Sequence, residues 1–136
     1  MTYWRSQPVQ AWIDEIFRLV NVERQAENLS ALRPPSADLS KAAALRAKET
    51  ADVFSHTRPC GSSCFTVLDE YNVSYRTAGE NLLKCTTGMW TPHQMVQRWM
   101  NSDGHRKNIM GKNFTSVGIG FYQSSGTDYV SQLFIG

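Results

Sequence analysis

Two histidines and one glutamate stand in local phrases distinctive enough to be read together: His56-Thr57-Arg58-Pro59, Gly79-Glu80-Asn81-Leu82 and Ser102-Asp103-Gly104-His105-Arg106. A neutral imidazole nitrogen is the usual metal ligand and the usual general base near neutral pH. A carboxylate beside it can ligate a cation, orient the ring or raise its pKa. Glu80 falls in a segment that reads as a strand, where a carboxylate is costly to bury unless paired, so a neighbouring imidazolium or metal would account for it. Ser102, His105 and Glu80 would also compose a nucleophile, base and orienter. Ser102-Asp103-Gly104 is equally a turn and helix cap, however, and the capping role is the one expected. The chain has no Gly-x-Ser-x-Gly elbow, and Cys64 sits in no protease signature. Arg58 and Arg106 flank the histidines; they would bind an anionic group at a cleft rim or remain solvated surface, and the second is expected. Asn81 and Asn108 are expected to hold loops through backbone hydrogen bonds. His93 is expected to be exposed and outside the site.

The elements that must position these groups are legible from periodicity. Ile13, Ile16, Phe17 and Val20 predict an amphipathic helix over 11–27, stopped by Asn28 and by Pro34-Pro35 beyond it. An alanine-rich helix follows over 39–54, opened by Asp38, its small residues suited to close packing. The segment 55–65, with Pro59, Gly61, Ser62 and Ser63, reads as loop, 67–71 as a short helix and 75–83 as a strand. Thr91-Pro92-His93-Gln94 is a capping box opening a helix to about residue 101, with Trp99, Met95 and Val96 on its buried face. Val117, Ile119 and Phe121 alternate with Gly118 and Gly120, and a second apolar run over 129–135 follows a Ser-Ser-Gly-Thr turn, which together predict a hairpin. Helices interleaved with strands and closed by a hairpin imply an α+β fold with an antiparallel sheet.

Composition removes several functional classes. The 136 residues suffice for one core and one domain. With 41% hydrophobic and 19% charged residues the chain is globular. A net charge of +2 gives no broad footprint for nucleic acid, which is not expected as a partner. No apolar run approaches the roughly 18 residues that span a bilayer. The first ten residues lack the apolar core of a secretory signal, so an extracellular protein would be seen here in mature or trimmed form. Three cysteines permit one disulfide and leave one thiol free.

Taken in order, Leu19-Val20-Asn21 with Arg24, the His56, Glu80 and His105 phrases, Trp99-Met100-Asn101-Ser102, Asn108-Ile109 and Val117-Gly118-Ile119-Gly120 resemble the CAP superfamily, which groups cysteine-rich secretory proteins, antigen 5 and pathogenesis-related proteins and shares the SCP domain. The likeness is to its bacterial secreted branch. It implies a three-layer α-β-α sandwich around a central antiparallel sheet, with a domain over 11–136 after an N-terminal extension over 1–10. It also implies an open cleft in which His56 and His105 are the metal ligands for zinc or another divalent cation and Glu80 is an acidic partner, with no organic cofactor. Ser102 stands where the eukaryotic pattern carries a second glutamate, which implies a weak, open metal site. Ser102, Arg58, Arg106 and Asn81 would form the cleft and its rim. The resemblance further implies a secreted or cell-surface monomer that binds a lipid, glycan or peptide, with a metal-assisted extracellular hydrolase as the alternative. Cys60 and Cys85 both depart from the bacterial pattern in loops beside the cleft, and on that ground they are the expected disulfide, with Cys64 to Cys85 second.

Overall fold

A computed structural model describes residues 2–136. Helices α1 (Thr2–Arg5), α2 (Val9–Ala26), α3 (Ala37–Asp52) and α4 (Thr66–Glu70) precede strand β1 (Ala78–Thr86); α5 (Pro92–Met100) and α6 (Asp103–Ile109) lead into the hairpin β2 (Ser116–Ser124) and β3 (Thr127–Ile135). The strands pair antiparallel in the order β1-β3-β2, so the last strand is central and both others are edges. Ser125 and Gly126 turn the hairpin with φ of 51° and 79°, the left-handed pair that matches the twist of a two-residue loop.

Alternation along the strands divides the apolar residues between two faces. Leu83, Val117, Ile119, Phe121, Val130 and Phe134 meet Trp12, Ile16 and Val20 of α2, Met95, Val96 and Trp99 of α5 and Ile109 of α6. On the opposite face Leu133 meets Leu39, Ala42 and Ala43 of α3 and Val67 and Leu68 of α4. The result is the three-layer α-β-α sandwich with the sheet in the middle. The face toward α3 is where close approach matters. A Cβ at Gly118 would lie 2.8 Å from the Leu39 carbonyl oxygen, and one at Gly120 would overlap the Ala43 carbonyl. That same carbonyl accepts a 2.6 Å hydrogen bond from Ser131 Oγ.

Local chemistry explains the boundaries. Thr91 caps α5 in a complete capping box with Gln94. Asn28 adopts φ 60° just beyond α2, and Leu29 N–H closes on Arg24 O. Three expectations move. The cap of α3 is Ser36, whose hydroxyl accepts from Leu39 N at 3.1 Å, and Asp38 lies inside the first turn. Strand β1 runs from Ala78 to Thr86 instead of 75–83, because it pairs along the whole of β3, from Ala78↔Ile135 to Thr86↔Thr127. The N-terminal stretch joins the fold: Trp4 packs on the core and its carbonyl accepts from Trp12 Nε1 at 2.9 Å, while α2 already begins at Val9.

Gly120→Ala is expected to push α3 from the sheet and cost about 2–3 kcal/mol, in the range of overpacked cores. Gly104→Ala, which meets nothing within 4 Å inside α6, should be neutral or stabilising. Urea denaturation of both variants measures the difference, and equal midpoints would contradict this account of the α3 contact.

Candidate functional site

The buried face of α3 carries Leu39, Ala42, Ala43, Arg46, Ala47 and Thr50, so helical spacing delivers an arginine to the middle of an apolar stripe. Opposite it, Glu80 faces the same layer from β1. The carboxylate side chain is 1% exposed and the guanidinium 0%, and they pair through Arg46 Nε to Oε2 at 2.7 Å and Nη2 to Oε1 at 3.1 Å. Arg46 also donates to Ser55 O at 2.7 Å and to Glu49 at 2.9 Å. Glu49 in turn accepts from Arg58, which reaches Glu70 at 2.7 Å and Thr66 at 3.0 Å. The 53–65 loop is therefore pinned to α3 and α4 by an alternating chain of charges. Arg58 is 6% exposed, which corrects the expectation of a solvated rim residue: two carboxylates consume its charge and hold its pKa far above the ordinary value. Arg106 is exposed and pairs with Asp103 at 3.2 Å.

Glu80 Oε1 makes one further contact, at 2.8 Å to His56 Nδ1. A carboxylate there favours the tautomer that carries its proton on Nδ1 and leaves Nε2 with a free lone pair. The ring itself is 62% exposed, so a buried anion orients an exposed donor. Cys64 lies beneath it. Burial and the charge of Glu80 push its thiol up to about 12, so it is protonated at neutral pH. Nitrogen, sulfur and carboxylate donor atoms of His56, Cys64 and Glu80 lie within 4.8 Å of one another, a group that could hold a metal ion. They line a concavity of about 490 Å³ with Ser63, Phe65 and Asn108.

His105 comes from the other side of the sheet, on α6. Its Nδ1 lies 3.0 Å from Ser102 Oγ. Ser102 occupies the cap position of α6, as expected, but its hydroxyl makes no capping bond and holds the imidazole instead. Burial lowers the His105 pKa, and the charge of His56 lowers it further. Beneath His105 a set of amides locks α6 to β1. Asn108 Nδ2 donates to Glu80 O at 3.1 Å and to Asn81 Oδ1 at 2.8 Å, while Asn81 Nδ2 donates to His105 O at 3.1 Å and Gln132 Oε1 at 3.0 Å. Both asparagines bond backbone carbonyls, as expected, but what they hold is helix α6 against strand β1 and not a loop. Since β1 is an edge strand, its successive residues Glu80 and Asn81 organise opposite layers whose loops meet over that edge. Gly79 permits this, because a Cβ there would stand 2.7 Å from Asn108 Oδ1.

The fit to a metal follows from the donor chemistry. Both oxygens of Glu80 are engaged by Arg46, which opposes a second cation on that carboxylate. The donors without such competition are His56 Nε2 and the His105 ring, a nitrogen pair that fits a borderline divalent ion, whereas Cys64 stays a thiol and the thiolate is the ligating form. His105 is not a member of the compact group of three. Arg46, Glu49 and Gln132 were not singled out from the sequence, and Cys64 was considered there only as a nucleophile and a disulfide partner. For Arg46 the signal was available, as an arginine at the i, i+3, i+4, i+7 positions of an otherwise apolar face. His93 is exposed and apart from the site.

The expected disulfide is not formed. All three cysteines are free thiols: Cys60 is exposed beside Ser62 Oγ, Cys64 is buried under the cleft, and Cys85 is buried within β1. The reason is strand parity. Cys85 pairs with Asp128 and faces the α2 and α5 layer, whereas Glu80, at odd separation on the same strand, faces the α3 layer with the 53–65 loop.

Breaking the buried pair is expected to cost about 3–5 kcal/mol for Arg46→Ala, because Glu80 is left charged and unmatched. Arg46→Met with Glu80→Leu should cost much less than the summed single variants, and additive losses in urea titrations would show that the pair is not coupled. Burial would raise the Glu49 pKa, but hydrogen bonds from Arg58 and Arg46 hold it below 4.5. The unfolded chain therefore takes up that proton first as pH falls, and stability present above pH 4.5 is lost below it. Glu49→Gln should flatten this acid limb in a pH series of thermal melts.

The model of the CAP family, described as the cysteine-rich secretory protein family, matches residues 17–134. The chain is 41% identical over 130 residues to the protein YkwD of Bacillus subtilis (strain 168), covering 94% of this chain and 48% of that protein. The crystal structure of an extracellular protein containing a SCP domain from Bacillus anthracis str. Ames is similar at a TM-score of 0.81 and 30% identity, over 93% of this chain and 40% of the other. The crystal structure of NaASP2 with Zn2+ shares the fold at a TM-score of 0.58 and 12% identity, over 92% and 77% of the two chains. The chain thus spans less than half the length of both bacterial relatives.

Proposed function

Since this chain belongs to the CAP family, we propose that it is a secreted or cell-surface bacterial binding module. Its cleft, centred on His56, Glu80 and His105, takes a divalent cation, zinc first among them, as part of the surface offered to an extracellular ligand. The observation that carries this reading is the exposed His56 ring fixed by the buried Glu80 carboxylate. Such pre-orientation of an exposed donor by a carboxylate is the arrangement of metal-ligating histidines, and it does nothing for the core. Secretion is supported by the extracellular SCP-domain relative, and zinc by the fold relative solved with that ion. Among the described residues no helix is long and apolar enough to cross a membrane.

His56 and His105 would hold the ion. Bound there, it supplies a Lewis-acidic centre for an oxygen or nitrogen of the ligand. Glu80 acts through His56, keeping its proton on Nδ1, and Ser102 holds the His105 ring. A hydrolase in the same cleft would need a group free to move protons. Glu80 is tied through both oxygens to Arg46, Ser102 replaces the second carboxylate, and Cys64 stays protonated. These three facts favour binding over catalysis.

Isothermal titration is expected to give one zinc site at pH 7.5, weakened at least tenfold in a His56→Ala/His105→Ala variant and weakening on acidification, because a proton and the metal compete for the same ring nitrogen. Tight, pH-independent binding that survives the double variant would falsify the ligand assignment. Glu80→Gln should weaken binding less than loss of either ring, since it disturbs orientation and leaves the donors in place.

A further inference from the structure

Arg24 is 2% exposed and has no carboxylate partner among the described residues. Its Nε donates to Ser30 O at 2.9 Å, and Nη1 donates to Ile109 O at 2.8 Å and Gly111 O at 2.9 Å. Those bonds fasten the end of α6 to the end of α2 and use one side of the guanidinium. Among the described residues no acceptor is found for Nη2, and the side chain lines a cavity of about 460 Å³ between the α2–α3 connection and the α6–β2 connection. The other polar groups on its wall are Arg33, Lys112, Asn28, Ser30 and Thr115, and no acidic residue contributes to it. Neither Arg33 nor Lys112 has an acidic partner within ion-pair distance among the described residues. The adjoining concavity shares Lys112 and adds Arg106 and Lys107, against the single acid Glu27.

A net charge of +2 conceals this local concentration. A buried guanidinium without a counter-ion is expensive, and burial lowers the Arg24 pKa accordingly. The carbonyl contacts explain why Arg24 reaches the end of α6. They do not explain two further cations and no acid around its unused edge. Three cations on one cavity wall, with an amide and two hydroxyls beside them, can serve as donors to a tetrahedral oxyanion, since a guanidinium and an ammonium bind phosphate through charge-assisted hydrogen bonds. We propose that this cavity, distinct from the histidine cleft and independent of its reading, binds a phosphate group, as free phosphate or as the ester headgroup of an anionic lipid.

The test is an amide and arginine Nε–H NMR titration of the intact chain with inorganic phosphate at constant ionic strength, using chloride as the control. Saturable shifts are expected at Arg24 Nε–H and at the backbone of residues 28–33 and 111–115. Affinity should fall at least tenfold in Arg33→Ala/Lys112→Ala and stay unchanged in Lys48→Ala on the opposite layer. Co-sedimentation with phosphatidylglycerol vesicles, against phosphatidylcholine, separates the sources: vesicle binding lost in the same double variant assigns the site to a headgroup, and phosphate shifts without vesicle binding assign it to the free anion. Equal shifts with chloride, shifts unaffected by the double variant, or no binding to either probe would overturn the proposal. Arg24 itself is left intact because its removal would loosen α6.

Discussion

Glu80 and Arg46 hold each other in a place where neither would remain charged alone. Both are withdrawn from water, and the free energy that makes this tolerable is their bidentate contact together with the further bonds each makes. The consequences run outward in two directions. Through Glu49 and Arg58 the pair fixes the 53–65 loop against α3 and α4. Through the remaining lone pair of Glu80 it fixes the ring of His56. A loop that carries Gly61 and three serines would otherwise wander, and the cleft has its rigid wall because a charge network supplements the sparse apolar packing of the loop.

The second organising fact is that the site sits on an edge. Strand β1 has β3 on one side only, so the loop from one layer and α6 from the other can both reach around it. Glu80 and Asn81 are neighbours in sequence and point into opposite layers, and each anchors one wall of the same cleft. Gly79 keeps the seam thin enough for Asn108 to bond the strand's own carbonyl. A central strand could not do this, because its flanks are already occupied.

The same economy governs the α3 face. Gly118, Gly120 and the alanines of α3 bring helix and sheet together at backbone distance, which carries Arg46 deep enough to meet Glu80. A bulkier stripe would raise the helix and separate the charges. Close packing in this layer and the polar cleft are therefore one design. The other layer, built on Trp12, Trp99 and Phe121, is a conventional large-residue core.

How much of this was legible depends on the range of the interaction. The sequence by itself determined helices α2 to α5, the hairpin, the capping box at Thr91 and the stop at Asn28, because each rests on contacts within a few residues. The ordered phrases around His56, Glu80 and His105 identified the family, and with it the sandwich. The limits of β1 were not legible, because the length of β3 sets them across the sheet. Nor was the fate of Arg58, which local context marks as surface and which only the meeting of α3, α4 and the loop surrounds with two carboxylates. The expected Cys60–Cys85 bond missed for a related reason: closeness in sequence to Glu80 says nothing of which face a strand residue takes until the register is known. Tertiary structure alone decided which charges are buried together, since the energy of a buried charge depends on partners brought from distant segments.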